Sequence, residues 1–273
     1  MKRNIRKWYI CTMSMVLIIF FYGTINAQAK TIRVRELTNS FESGQYIYYS
    51  KPVGIITSDL MRYNTKTKKV EKFIEHSEEY MSFFDISLRN ESVYAISRTD
   101  GGTGNPVMKL IKIDEDTKTI TPISNAWTYY YYHNKIYFEK YKERESNEFG
   151  IEMYSTGKIC SLDLQKGDLK EEKNIKIKAK EVNGRGHKIK HGIYKYYTNN
   201  NGTRIYRKNI KTNKKKCIFK SGNKMRTWNF EVTKKHILII ATMKKYNQKY
   251  NTRMYVTDLK GKNKKLIGKW HEQ

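Results

Sequence analysis

The chain repeats one short pattern five times, and that period restricts its fold more than any other feature. An apolar strand ending in Asn or Asp recurs as Leu60-Met61-Arg62-Tyr63-Asn64, Leu110-Ile111-Lys112-Ile113-Asp114, Ile159-Cys160-Ser161-Leu162-Asp163, Ile205-Tyr206-Arg207-Lys208-Asn209 and Met254-Tyr255-Val256-Thr257-Asp258. The closing Asn or Asp residues are separated by steps of 50, 49, 46 and 49. A β-branched or aromatic pair precedes each one across a polar loop: Ile47-Tyr48, Val93-Tyr94, Ile136-Tyr137, Ile193-Tyr194 and Ile237-Leu238. Another strand comes before the pair, as in Phe83 to Leu88 and Trp127 to Tyr132. A fourth short run follows the Asn or Asp, as in Val70 to Ile74, Ile120 to Ile123 and Cys217 to Phe219. No apolar stripe of 3.6-residue period persists for three turns. Each unit reads as strand–turn–strand–loop–strand–turn–strand, so the expected fold class is all-β.

A four-stranded unit of about 45–50 residues in tandem is the pattern of a β-propeller blade, which cannot cover both of its faces alone. The expected architecture is a propeller of five four-stranded blades, spanning approximately 31–77, 78–124, 125–179, 180–222 and 223–270 within a domain at 30–273. The third blade is longest because it carries the insertion Glu139 to Gly157. Ile175, Ile177 and Ala179 alternate with Lys176, Lys178 and Lys180, which reads as an outer strand with charge on its exposed face. Three residues before each closing Asn or Asp stand Met61, Ile111, Cys160, Tyr206 and Tyr255, all packing residues, which places Cys160 between blades.

The rhythm of Ile47-Tyr48-Tyr49-Ser50 and Met254-Tyr255-Val256-Thr257-Asp258-Leu259 resembles the low-density-lipoprotein-receptor-like propeller domain of exported proteins from low-GC Gram-positive bacteria, a family largely without assigned function. The resemblance covers residues 30–273 and implies a propeller. Where the receptor version carries Tyr-Trp-Thr-Asp, this chain has Tyr48-Tyr49-Ser50-Lys51 and Tyr94-Ala95-Ile96-Ser97, so no ligand-contacting residue carries over.

The first 29 residues read as an address. Lys2, Arg3, Arg6 and Lys7 precede the uncharged run Trp8 to Tyr22, and Ala27-Gln28-Ala29 forms an A-x-A site before Lys30. That layout is a secretory signal peptide cleaved after Ala29, with an uncleaved signal anchor as the alternative. The expected location is secreted or attached to the cell surface. Four of the 54 basic residues leave with the signal and none of the 26 acidic ones, so the full chain's +28 falls to +24. Cys160 and Cys217 remain, either as one disulfide or as two small buried residues.

Enzyme signatures are absent: there is no G-x-S-x-G elbow, Walker loop, H-E-x-x-H or paired C-x-x-C, and no cofactor or metal is expected. His187 and His191 sit on a strand, where four residues span about 13 Å, too far to share one zinc. His133, His191 and His236 all fall at first-to-second-strand turns and read as solvated. The glycine-rich stretch Thr99 to Pro106 lies between strands and opens no helix, so it lacks the amide array of a phosphate cradle. The insertion holds Glu139, Glu143, Glu145, Glu148 and Glu152, which suit a solvated excursion or a site for a cation or a basic partner surface. Asp85 lies on an expected innermost strand, where the matching strand of the third blade offers Tyr129 to Tyr132.

The lysines are better ordered. Lys66, Lys68, Lys69, Lys118, Lys166, Lys170, Lys211, Lys214, Lys215, Lys216, Lys260, Lys262, Lys264 and Lys265 all fall at the turn joining the third strand of a unit to its outermost one. In a propeller those turns form one basic rim, which either protects strand edges or docks on an anionic polymer or membrane surface. Nucleic acid fits the charge but not the exported compartment. The expected function is non-enzymatic binding at the cell envelope by a monomer. The alternatives are a glycan-active hydrolase or lyase using the channel, and a protein–protein scaffold.

Overall fold

Side chains on a strand alternate between the two faces of its sheet, and through most of this chain both faces are apolar. The computed structural model describes residues 29–54, 56–100, 106–146, 150–180, 188–222, 224–243 and 252–270. The signal segment, most of the glycine-rich stretch, Glu148 and His187 lie outside the described residues.

Every regular element described is a strand. β1 (Lys30–Arg35) is followed by the first sheet, formed by β2 (Ser40–Ser43), β3 (Tyr46–Pro52), β4 (Ser58–Asn64) and β5 (Val70–Ile74). The second comprises β6 (Ser82–Arg89), β7 (Ser92–Asp100), β8 (Pro106–Asp114) and β9 (Ile120–Asn125). The third comprises β10 (Tyr129–Tyr132), β11 (Lys135–Ser146), β12 (Gly150–Asp163) and β13 (Leu169–Glu172). After β14 (Ile175–Lys180) come the fourth sheet, β15 (Lys188–His191) to β18 (Lys215–Lys220) through β16 (Tyr194–Thr198) and β17 (Arg204–Asn209), and the fifth, β19 (Met225–Val232), β20 (His236–Met243), β21 (Thr252–Asp258) and β22 (Lys265–Trp270). In each of the five sheets the strands lie in chain order and pair antiparallel.

Alternation sends neighbouring residues to different cores. In β3, Tyr48 packs with Phe83, Val93 and Ala95 of the second sheet, whereas Ile47 and Tyr49 pack with Leu238, Met254 and Trp270 of the fifth. In β7, Tyr94 and Ile96 turn the other way, toward Tyr129 and Phe138 of the third sheet. In β20, Leu238 faces the first sheet while Ile237, Ile239 and Ala241 face Tyr196 and Ile205 of the fourth. Tyr48, Tyr49, Val93, Ala95, Ile96, Ile237 and Ile239 are all fully shielded from solvent. Cys160 lies in the core between the second and third sheets, and Cys217 is half-buried in the fourth; both are free thiols.

One strand takes a different place from the one expected. The outer strand of the third sheet is β13, and the Ile175–Lys180 segment instead pairs in parallel with β1, Ile175 opposite Lys30 and Ala179 opposite Val34. The two strands cover the face of the third sheet that carries Tyr130, Tyr132, Tyr137 and Ile159, with Ile32 and Val34 buried against Tyr137. The alternation of Lys176 and Lys178 with apolar neighbours was readable, because it reports one covered face. It does not name the partner strand. The insertion in the third sheet is likewise regular: β11 and β12 run on as a paired hairpin to Ser146 opposite Gly150, with a register shift at Lys140/Tyr141.

The first and fifth sheets are also joined by a polar seam. Glu42, whose side chain is 4% exposed, accepts hydrogen bonds from the Thr233 hydroxyl (2.6 Å) and the Lys235 amide (2.7 Å), and its other oxygen lies 2.9 Å from His236 Nδ1. Nearby, Ser40 donates to Glu231. Burial alone would raise the Glu42 carboxyl, but the His236, Thr233 and Lys235 bonds outweigh it and bring it down to about 2 from 4.5. A depressed carboxyl stabilises the fold above its unfolded value and loses that contribution as pH falls toward the folded one. Acidification from pH 4.5 to about 2 is therefore expected to remove on the order of 2 kcal/mol. Glu42→Gln should lower the neutral-pH melting midpoint and flatten the pH dependence in that window, as read by thermal denaturation across pH.

Candidate functional site

The turn between the third and fourth strands of each sheet is built around the repeated Asn or Asp. Its side-chain oxygen accepts two backbone amides from the turn that follows. Asn64 Oδ1 takes those of Lys66 (2.9 Å) and Thr67 (3.0 Å), and Asp114 Oδ1 those of Asp116 (3.1 Å) and Thr117 (2.8 Å). Asp163 Oδ1 takes Gln165 (2.9 Å) and Lys166 (3.2 Å), and Asn209 Oδ1 takes Lys211 (2.9 Å) and Thr212 (3.0 Å). Asp258 Oδ1 takes Lys260 and Lys262, both at 2.8 Å. These are side-chain mimics of a backbone turn. The amides of Thr117 and Gln165 hold the Asp114 and Asp163 carboxyls below their ordinary values.

Closing these turns requires a left-handed residue four places on. Lys68 (φ 62°), Lys118 (60°), Gly167 (74°) and Asn213 (57°) fill that place in the first four sheets. The fifth turn departs, with positive φ at Gly261 (79°) and Asn263 (56°). A Cβ at Gly261 would stand 2.2 Å from Ile218 O of the fourth sheet, so only glycine fits there.

Each of these turns lies at the same end of its sheet as the inner turn between strands one and two. Backbone bonds tie the two together: Thr65 N to Gln45 O (2.7 Å), Glu115 N to Glu91 O (3.2 Å), Leu164 N to Asn134 O (3.1 Å) and Ile210 N to Ile193 O (2.8 Å). Contacts also cross between sheets at this end. Asn90 Nδ2 donates to Leu164 O (3.2 Å), and both the Tyr196 hydroxyl and Arg207 Nη1 reach Leu259 O at 3.3 Å. The Tyr48 hydroxyl donates to Glu115.

All fourteen lysines singled out from the sequence are exposed. Ten lie in the turns themselves, while Lys170, Lys215, Lys216 and Lys265 lie on the outermost strands β13, β18 and β22. Among the described residues only Lys170 has an acidic partner, Asp168 at 4.0 Å, with both side chains exposed. Lys215 Nζ stands 3.8 Å over the Tyr206 ring and Lys264 Nζ 4.7 Å over that of Tyr255, so these two exposed ammonium groups are held against aromatic faces. The charge is uneven. The fourth and fifth sheets hold eight of the fourteen, whereas the second offers Lys118 alone beside Glu115 and Asp116. The unevenness makes a basic arc over the fourth, fifth and first sheets, whose neighbours are fixed by shared cores.

The other candidates are engaged locally. His133 sits in the inner turn of the third sheet at φ 54° with its ring 4.3 Å from that of Tyr132, His191 ends β15, and His236 meets Glu42, a partnership the sequence did not disclose. Asp85 adopts φ 50° in a bulge of β6, and its carboxyl accepts from the Thr128 hydroxyl at 2.7 Å. The Tyr129 hydroxyl lies 2.6 Å from Asp85 O. In the insertion, Glu139 accepts from Ser155, Glu143 from Asn125 Nδ2 (2.9 Å), and Glu152 pairs with Arg144 (3.0 Å). Among the described residues no three His, Cys, Asp or Glu side chains gather as a metal site.

No protein-family model matches the chain, and no curated protein does. Among solved structures it is similar to one described as the structure of YjhT, at 7% identity and a TM-score of 0.36, over 89% of this chain and 96% of that one.

The turn chemistry is testable without a ligand. Lys118→Gly relieves a left-handed penalty of about 1 kcal/mol and is expected to raise the melting midpoint, whereas Asp114→Ala removes the acceptor of two amides and should lower it. Scanning calorimetry of both variants checks the pair of signs.

Proposed function

We propose that the five sheets are the blades of a β-propeller and that the protein is an exported, non-enzymatic binder of the cell envelope. Four shared apolar cores support the ring reading: first with second sheet, second with third, fourth with fifth, and fifth with first. The β1–β14 pair then fills the space on the remaining face of the third blade. The signal-like segment and its Ala27-Gln28-Ala29 site support export, with cleavage after Ala29.

The observation that carries the binding reading is the set of exposed lysines at equivalent turns, thirteen of them without an acidic partner among the described residues. Ammonium groups held apart on a rigid rim match a repeating polyanion better than a single small anion. An envelope polymer with a phosphodiester backbone has that form. Each exposed pairing contributes little by itself, so affinity comes from many simultaneous contacts, and screening weakens all of them together.

Retention of the purified protein on poly(glycerol phosphate) should fall steadily as sodium chloride rises. Replacing Lys211, Lys214, Lys215 and Lys216 together by Gln removes four contacts of about 0.3–0.5 kcal/mol each, which is expected to weaken binding roughly tenfold. Retention that stays unchanged from low to high salt overturns the electrostatic reading.

A further inference from the structure

At the end of the sheets away from the lysine turns, the first, second and fifth sheets border a half-open pocket of about 210 Å³. Pro52 at the end of β3, Thr57 in the loop that follows and Ser58 at the start of β4 border it, as do Ser82 and Arg98 from the ends of β6 and β7 remote from the Arg89–Ser92 turn. Tyr49, Phe84, Phe230, Leu238, Ile240 and Met254 supply apolar walls, and Glu231, which accepts from Ser40, is the acid among the lining residues.

Two polar groups in this cavity are unusual. Ser82 is only 3% exposed, and its hydroxyl has no hydrogen-bond partner among the described residues. Arg98 Nε is also shielded from solvent and also lacks a partner. The two residues face each other in the β6–β7 register. Their neighbours are satisfied: Ser50 and Ser58 bond each other at 2.8 Å, the Phe83 amide reaches Ser58 Oγ at 3.2 Å, and Ser40 donates to Glu231. Buried donors are almost always partnered, and those left over point to a ligand or ordered solvent. A guanidinium N–H beside a hydroxyl presents two donors to one acceptor group, and a carboxylate takes such a pair with charge assistance. The space beyond the donors accommodates about seven waters at ~30 Å³ each, enough for a ring or a short chain.

We propose that this cavity is a binding site for a small carboxylate with an apolar body, the carboxylate held by Arg98 and Ser82 and the body lying against Phe84, Phe230 and Met254. Because Ser82 Oγ and Arg98 Nε are shielded from solvent, their contact with a carboxylate is screened less by salt than the exposed lysine rim is. The two sites are therefore separable in one preparation, and failure of either leaves the other standing.

The test titrates the full chain with phenylacetate and hexanoate, and with phenylacetamide and hexanamide as uncharged counterparts, at about 0.5 M sodium chloride to silence the exposed lysines. Binding is followed by ligand-observed NMR and calorimetry. A carboxylate is expected to bind saturably and about ten- to a hundredfold more tightly than its amide, the range of a charge-assisted hydrogen bond. Arg98→Gln should abolish that preference, and the smaller change Ser82→Ala should weaken the carboxylate while leaving the fold intact by melting. If Arg98→Gln does not fold, Ser82→Ala decides alone. No saturable binding of either carboxylate, equal affinity for the amides, or unchanged affinity in Ser82→Ala each overturns the proposal.

Discussion

A sheet that is apolar on both faces must be covered twice, and everything else in this structure follows from that requirement. Tyr48 and Tyr49 are adjacent in β3 and both fully buried, yet they belong to different cores. The same division separates Val93 from Tyr94 in β7 and Ile237 from Leu238 in β20. Each dipeptide therefore ties three successive sheets together. Burial at roughly 25 cal/mol per Å² of apolar surface makes such side chains the dominant favourable term. It also sets a penalty on any arrangement that leaves one sheet face open.

Covering both faces with a neighbouring sheet leaves the ends of the strands to make every connection. At one end the chain uses a local device, an Asn or Asp oxygen that holds two amides, with a left-handed residue to close the turn. The side chains of most other turn positions have no structural task, and lysine fills many of them. At the opposite end the loops differ in length and sequence, and the cavity between Arg98 and Glu231 lies there. The two proposed sites divide along the same line, the charged one at the repetitive end and the pocket at the irregular one.

How much of this was visible in the sequence depended on range. The four-strand unit and its period were legible because alternation and turn residues act over a few neighbours, as in Leu110 to Asp114. The regular Asn and Asp were visible as a pattern, but their cause was not. The left-handed residue four places on changes identity from Lys68 to Gly167 to Asn213, so no single letter marks it. The partner of Ile175–Lys180 was illegible, since a strand with one covered face records only that something covers it. The Glu42–His236 pair and the Ser82–Arg98 cavity were hidden for a related reason. Glu42 and His236 are 194 positions apart, and nothing local distinguishes either residue. The fourth sheet shows the same limit in reverse. Lys195 and Tyr197 replace apolar residues on its second face, and the Tyr197 and Tyr206 rings lie beneath Lys215 instead of beneath another sheet.

The parallel pairing of β1 with β14 has a consequence for the order in which the molecule assembles. Residues that touch across the pair are 145 positions apart, as Lys30 and Ile175 are, so the contact closes one of the longest loops in the chain, and such closures are slow. A chain emerging from its N-terminus presents β1 first and supplies the partner strand only after three complete sheets have been made. Until then Ile32 and Val34 have no strand beside them, and the tyrosine-rich face of the third sheet stays uncovered. The earliest segment of the domain to be synthesised is thus among the last to be seated, and it works as a latch placed at the start of the chain.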